Sequence, residues 1–277
     1  MSDAPAGTEA RATTVSRPVA VDGIGLHTGA RATLTLLPAA FGQGVVFHTP
    51  AGTVPATLHH ATPGGGCTVL TRGPATVSTP EHLLAALSAL GVTDVGLAID
   101  GPEVPALDGS AVGWVEAIDR AGRVAGPALP APPGLDGPVR VDAFDGWAEA
   151  GPGGPTLTVE VAFVDGPAGT LVVPLDEASF RAEVAWARTF VLARDVAALR
   201  AAGRGRGATA DNTVVWPDAP LRSPDEPVRH KLLDAWGDLA LLGRWSAAVR
   251  VVRGGHGLHQ ALAREIARGY SGNRSAR

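Results

Sequence analysis

Among its 277 residues the chain has one cysteine, Cys67, and one lysine, Lys231. A single thiol excludes an intrachain disulfide and a thiolate metal cage, and it suits a reducing cytoplasm. No apolar run approaches the ~18 residues that cross a bilayer, and Met1 to Arg17 lacks the apolar core of a leader. An excess of positive charge is missing as well. A net charge of −4 and a pI near 6.0 exclude a general nucleic-acid surface and leave room for a local basic patch around an anionic small molecule. Several catalytic signatures are absent. There is no H-E-x-x-H, H-x-x-E-H fails because Ser78 stands in its first position, and no G-x-S-x-G elbow occurs. Gly203-x-Gly205-x-x-Ala208 imitates a dinucleotide fingerprint but follows a helical stretch where the fingerprint needs a strand.

With 45% hydrophobic residues, the length suffices for two ordinary cores. Residues 1–14 read as a frayed tail, 15–123 as a first α+β domain, 124–137 as a Pro/Gly linker, 138–270 as a second α+β domain and 271–277 as a polar tail. Thr79-Pro80-Glu81-His82 opens a helix, with Thr79 expected as its N-cap and Gly91 as its stop. A second long helix begins near Asp225-Glu226-Pro227, and there His230, Asp234 and Asp238 recur at i, i+4 and i+8 on one face. The two halves share an order of strands, long helix, strand, loop and final helix, and Glu81-His82-Leu-Leu-Ala-Ala-Leu aligns with Arg229-His230-Lys-Leu-Leu-Asp-Ala. This looks like a duplication with a histidine at the matching place in each copy.

If the copies face each other, His82 meets His230 and Asp234, a two-histidine, one-carboxylate set that matches catalytic zinc with an open position. Glu81 could then serve as general base. His256, flanked by glycines in Gly254-Gly255-His256-Gly257, suits a mobile acid with Asp238 as the partner that raises its pKa. Thr189 offers a hydroxyl to an oxyanion. Each also has a plain structural use: His82 as a locally bonded histidine, Glu81 as a capping-box residue answering Ser78, His256 in a turn and Thr189 in a strand. His48, His59, His60 and His259 gain no role from spacing, and His27 is ambiguous. Arginine supplies every other basic side chain, so Lys231 has either escaped a drift that replaces lysine or survived by chance.

The stretches GIGLHTG (23–29), TPEHLLAALSALGV (79–92), GPEVPALDGSA (101–111), ARTF (187–190), DEPVRHKLLDAWGDLALLG (225–243) and GGHGLHQAL (254–262) resemble the UDP-3-O-acyl-N-acetylglucosamine deacetylase family, zinc amidases of lipid A biosynthesis. The resemblance runs in order from about Val15 to about Ile266. It implies two α+β domains stacked as a sheet, helix, helix, sheet sandwich with one Zn2+ between them, held by His82, His230 and Asp234. It also implies Glu81 as general base, oxyanion contact from Thr189, and proton donation or electrostatic support from His256 with Asp238. Lys231 would touch an acyl-bearing UDP-sugar, Phe190 would line its binding face, and residues 193–210 would form the acyl passage. A cytoplasmic monomer with no nucleic-acid partner is expected.

The sequence departs from the family's usual pattern at Gly207-Ala208-Thr209, at Arg204 and Arg206, where apolar residues are commoner, and at His259, which replaces a frequent asparagine. Two other readings stay open: a zinc deacetylase of a different sugar nucleotide, and a non-enzymatic UDP-sugar-binding protein.

Overall fold

The computed structural model describes residues 10–274. Most of the two expected tails, 1–9 and 275–277, lies outside the described residues. The first half runs β1 (Arg11–Val15), β2 (Val19–Ile24), β3 (Arg31–Leu37), β4 (Val45–Thr49), β5 (Gly52–Pro55), β6 (Ala61–Gly64), β7 (Cys67–Arg72) and β8 (Ala75–Ser78). Helix α1 (Glu81–Ala89), β9 (Val95–Ile99), α2 (Val112–Ala121) and β10 (Arg123–Ala128) complete it. The second half has β11 (Val139–Asp142), β12 (Trp147–Gly151), β13 (Thr156–Ala162), β14 (Ala168–Pro174), a short α3 (Glu177–Ser179) and β15 (Thr189–Leu192). Then come α4 (Val196–Ala201), β16 (Thr213–Trp216), α5 (Glu226–Ala240), β17 (Ala248–Val252) and α6 (His256–Arg274).

Two five-stranded sheets dominate, ordered β2-β3-β9-β4-β5 and β11-β12-β17-β13-β14. Each has a single parallel pair, β4 with β9 and β13 with β17, at the equivalent place. That correspondence is the structural form of the duplication. The strands alternate as half-buried strands should: β3 buries Ala32, Leu34 and Leu36, while β13 buries Leu157, Val159 and Val161. Helix α1 packs against α5 between the sheets, with α2 on the side of β2 and α6 on β11 and β12. The result is an α+β, sheet, helix, helix, sheet arrangement whose inner seam is the α1–α5 contact.

Three local expectations change. Arg11–Val15 is not a tail, because it pairs antiparallel with β10 and buries Ala12, Thr14 and Val15. For the same reason the segment 124–137 is not all linker: Arg123–Ala128 is the partner strand, and only the proline-rich remainder connects the halves. Thr79 does not cap α1. It sits at φ +58, Pro80 takes the cap position without a side-chain bond, and the Thr79 hydroxyl donates instead to Glu103 Oε1 at 2.8 Å. Glu103, only 1% exposed, also accepts from His27 N, Thr28 N and Thr28 Oγ1, and an ionised carboxylate out-competes a helix end for a hydroxyl. A β-branched residue in the left-handed region costs on the order of 1–3 kcal/mol, which those bonds offset.

Candidate active site

Helix α5 begins with Pro227 in its first turn and buries Val228, Leu232, Leu233, Trp236 and Leu239, so its polar stripe is carried inward along with its apolar one. His230, Asp234 and Asp238 are all buried on it. His82 projects from the first turn of α1 to meet them. His82 Nε2 lies 3.4 Å from Asp234 Oδ1 and His230 Nε2 lies 3.5 Å from Asp234 Oδ2, with the two imidazole centroids 5.1 Å apart. One ligand atom from each residue falls within 4.8 Å of the others.

These three residues fit a divalent cation. Their N–O separations are longer than good hydrogen bonds, and Nδ1 of His230 is buried with no hydrogen-bond partner among the described residues. Burial, above all, drives the His230 pKa down to about 3, so the ring is neutral, as a ligand must be. Burial works against ionisation of Asp234, but His230 and Lys231 outweigh it and hold the carboxyl well below its usual range. Lys231 Nζ donates to Asp234 Oδ2 at 2.7 Å. Asp238, His256 and His259 form a second compact group, yet there both Nδ1 atoms sit 2.8 Å from the same carboxylate oxygen. Those are hydrogen bonds, and they fill the space a cation would need.

Glu81 is 3% exposed, and its Oε2 accepts from Thr68 N at 3.2 Å, so the carboxylate faces the site and does not reach back to close a capping box. Burial pushes its pKa up to about 7. His256 is the first residue of α6 and not a free loop side chain: glycines on both sides permit the tight entry, and Arg253 before them takes φ +49. Burial would lower the His256 pKa, but Asp238 reverses this and lifts it to about 10. Thr189 opens β15, its hydroxyl donating to Gly109 O at 3.2 Å. Phe190 presents its ring edge to His230, with centroids 5.7 Å apart.

Glu81, His82, Thr189, Phe190, His230, Lys231, Asp234 and His256 line one cavity of about 940 Å³, with Asp238 and His259 behind its wall. An apolar arm is formed by Leu192, Val196, Leu199, Ala208 and Val215. Three residues to which the sequence assigned no role stand out here. Arg204 reaches from that arm across to the first half, where its Nη2 is 3.3 Å from both Gly64 O and Cys67 Sγ. The half-buried His27 lines the cavity beside it, its pKa lowered to about 4 by burial and then by Arg204. His259 shares Asp238 with His256, and because that carboxylate comes from α5 the spacing within α6 gave no sign of it.

A sequence profile of the UDP-3-O-acyl N-acetylglycosamine deacetylase family matches residues 12–268. The chain belongs to that family. Among its relatives is the UDP-3-O-acyl-N-acetylglucosamine deacetylase of Synechocystis sp., 38% identical over 93% of this chain and 99% of its own length. That of Anaeromyxobacter sp. is 39% identical over 91% and 87%, and that of Brucella melitensis biotype 2 is 38% identical over 91% and 94%. The UDP-3-O-acyl N-acetylglycosamine deacetylase family consists of metalloenzymes, in keeping with the His82, His230 and Asp234 cluster.

Proposed function

We propose that the protein hydrolyses the N-acetyl group of UDP-3-O-acyl-N-acetylglucosamine, giving acetate and UDP-3-O-acyl-glucosamine, the committed step of lipid A synthesis. The observation that carries this reading is the family match across residues 12–268. Support for the individual roles comes from the convergence of two histidines and two buried carboxylates at the α1–α5 seam.

His82, His230 and Asp234 would hold one zinc ion, which when bound supplies Lewis-acid chemistry by acidifying water and polarising the acetamide carbonyl. Glu81 takes a proton from the attacking water. A carboxyl raised to about 7 is basic enough for this near neutrality and can later release the proton. The Thr189 hydroxyl, free to turn from Gly109 O, donates to the carbonyl oxygen as negative charge builds there. His256, protonated against Asp238, gives its proton to the sugar nitrogen as the C–N bond breaks. The proton held by Glu81 then restores His256 through solvent.

Lys231 and Phe190, both on the cavity wall, would contact the substrate, and residues 193–210 would enclose its acyl chain. With β1 and β10 added to the expected 15–123, the fold reads as two domains, 11–128 and 138–270, with the site between them. Every group in the set comes from one chain, which supports a monomer, and a UDP-linked substrate supports a cytoplasmic reaction. Metal analysis coupled to acetate release from the acylated substrate tests the reading: one zinc per chain with turnover is expected, and a metal-replete protein that releases no acetate refutes it. The Arg204 guanidinium in the apolar arm favours a second reading, a zinc deacetylase of a different sugar nucleotide, which comparing turnover of acylated and non-acylated UDP-N-acetylglucosamine would separate.

A further inference from the structure

The carboxylate of Asp238 is wholly buried and takes three side-chain donors. Thr68 donates to Oδ1, and Gln260 Nε2 in turn donates to the Thr68 hydroxyl at 2.8 Å. On Oδ2 the Nδ1 atoms of His256 and His259 each lie at 2.8 Å. His259 is 1% exposed, and burial lowers its pKa, so it is a neutral ring whose single proton sits on Nδ1 and points at Asp238. Like Asp238 it stands behind the cavity wall, and it plays no part in the roles above.

We propose that His259 is a positioning residue for the deacetylation: by donating to the oxygen that His256 also uses, it fixes the Asp238 carboxylate and shares its charge, which leaves His256 able to release its proton. The proposal rests on the deacetylase reading, in which His256 is the donor. The physical basis is that a hydrogen bond to an ionised carboxylate lowers its basicity. With one donor fewer on Oδ2, the carboxylate would pull harder on the His256 imidazolium and be free to rotate about its Cβ–Cγ bond. Other groups also act on His256: Asp234 and His230 from α5, Glu81 from α1 and His27 from the loop after β2. His259 differs from these in touching the same oxygen, so its removal alters the His256–Asp238 pair directly.

The test compares His259→Met and His259→Leu, which cannot donate, with His259→Asn, whose amide can. Histidine-labelled full-length protein, loaded with zinc, is titrated by NMR across neutral and alkaline pH while zinc content and acetate release are followed. Both donor-free variants should raise the His256 pKa by about one unit and lower kcat about tenfold with KM and zinc unchanged. His259→Asn should titrate and turn over like wild type. A purely structural residue would change stability and zinc content and leave the His256 titration in place. Donor-free variants that titrate like wild type, or an asparagine variant that shifts as far as leucine, overturn the proposal. If one donor-free variant does not fold, the other decides. Wild type that releases no acetate sinks the deacetylase reading instead, and the titration still reports on the His259–Asp238 contact.

Discussion

The carbonyl of Glu81 lies against Cα of Gly237: a Cβ at position 237 would sit 2.0 Å from that oxygen. Helices α1 and α5 therefore cross in near backbone contact at the point where one brings Glu81 and His82 and the other His230, Asp234 and Asp238. Gly237→Ala must force them apart. Overpacking of this kind costs about 1–3 kcal/mol, and the gap between His82 and Asp234 opens with it. Thermal unfolding should show a lower midpoint and metal analysis a weaker zinc site, even though no ligand has been altered.

His82→Ala, His230→Ala and Asp234→Ala should each lose zinc and turnover together, since each removes a ligand from a set of three. Glu81→Gln should keep the metal while activity falls by roughly 10²–10⁴-fold, the range for a positioned base. Full metal and full activity in any ligand variant would remove that residue from the set.

Lys231 Nζ holds Asp234 Oδ2 at 2.7 Å and lies on the cavity wall at 17% side-chain exposure. A compact ammonium fits there, and a planar guanidinium does not. We expect Lys231→Arg to lower kcat/KM nearly as far as Lys231→Ala with zinc retained. Wild-type kinetics for the arginine variant would mean that the lysine is incidental.

Glu226 should carry a pH-dependent share of the stability. Its carboxylate is 1% exposed and accepts from Arg188 Nε at 2.9 Å, Arg188 Nη2 at 3.1 Å and Arg222 N at 2.6 Å. Burial alone would raise its pKa, but these donors outweigh burial and depress it. A depressed carboxyl contributes stability above its unfolded value of about 4.3 and loses it as pH falls through the folded value. Denaturant titrations at falling pH should show Glu226→Gln less stable than wild type near neutrality, by roughly 3–5 kcal/mol, and the difference should shrink in acid.

Helix α5 was the most legible part of the chain, because Pro227, an apolar stripe and a polar i, i+4, i+8 row are local signals that burial only reinforces. The duplication was legible too, and it led to the expectation that His82 faces His230, which the α1–α5 contact brings together. What sequence could not supply was the winner of long-range competition. Thr79 looked like a cap because the rival acceptor, Glu103, is 24 residues away. His259 looked idle because its partner comes from another helix, and Arg11–Val15 looked like a tail because its partner strand is more than a hundred residues further on.

Arg204 bears on inhibition as much as on substrate. A hydrocarbon-tailed compound fitted to a wholly apolar channel would have to bury this guanidinium, whose Nε has no partner among the described residues, without offering it an acceptor. A tail with an ether or hydroxyl oxygen opposite Arg204 would offer this guanidinium the acceptor that a plain hydrocarbon lacks.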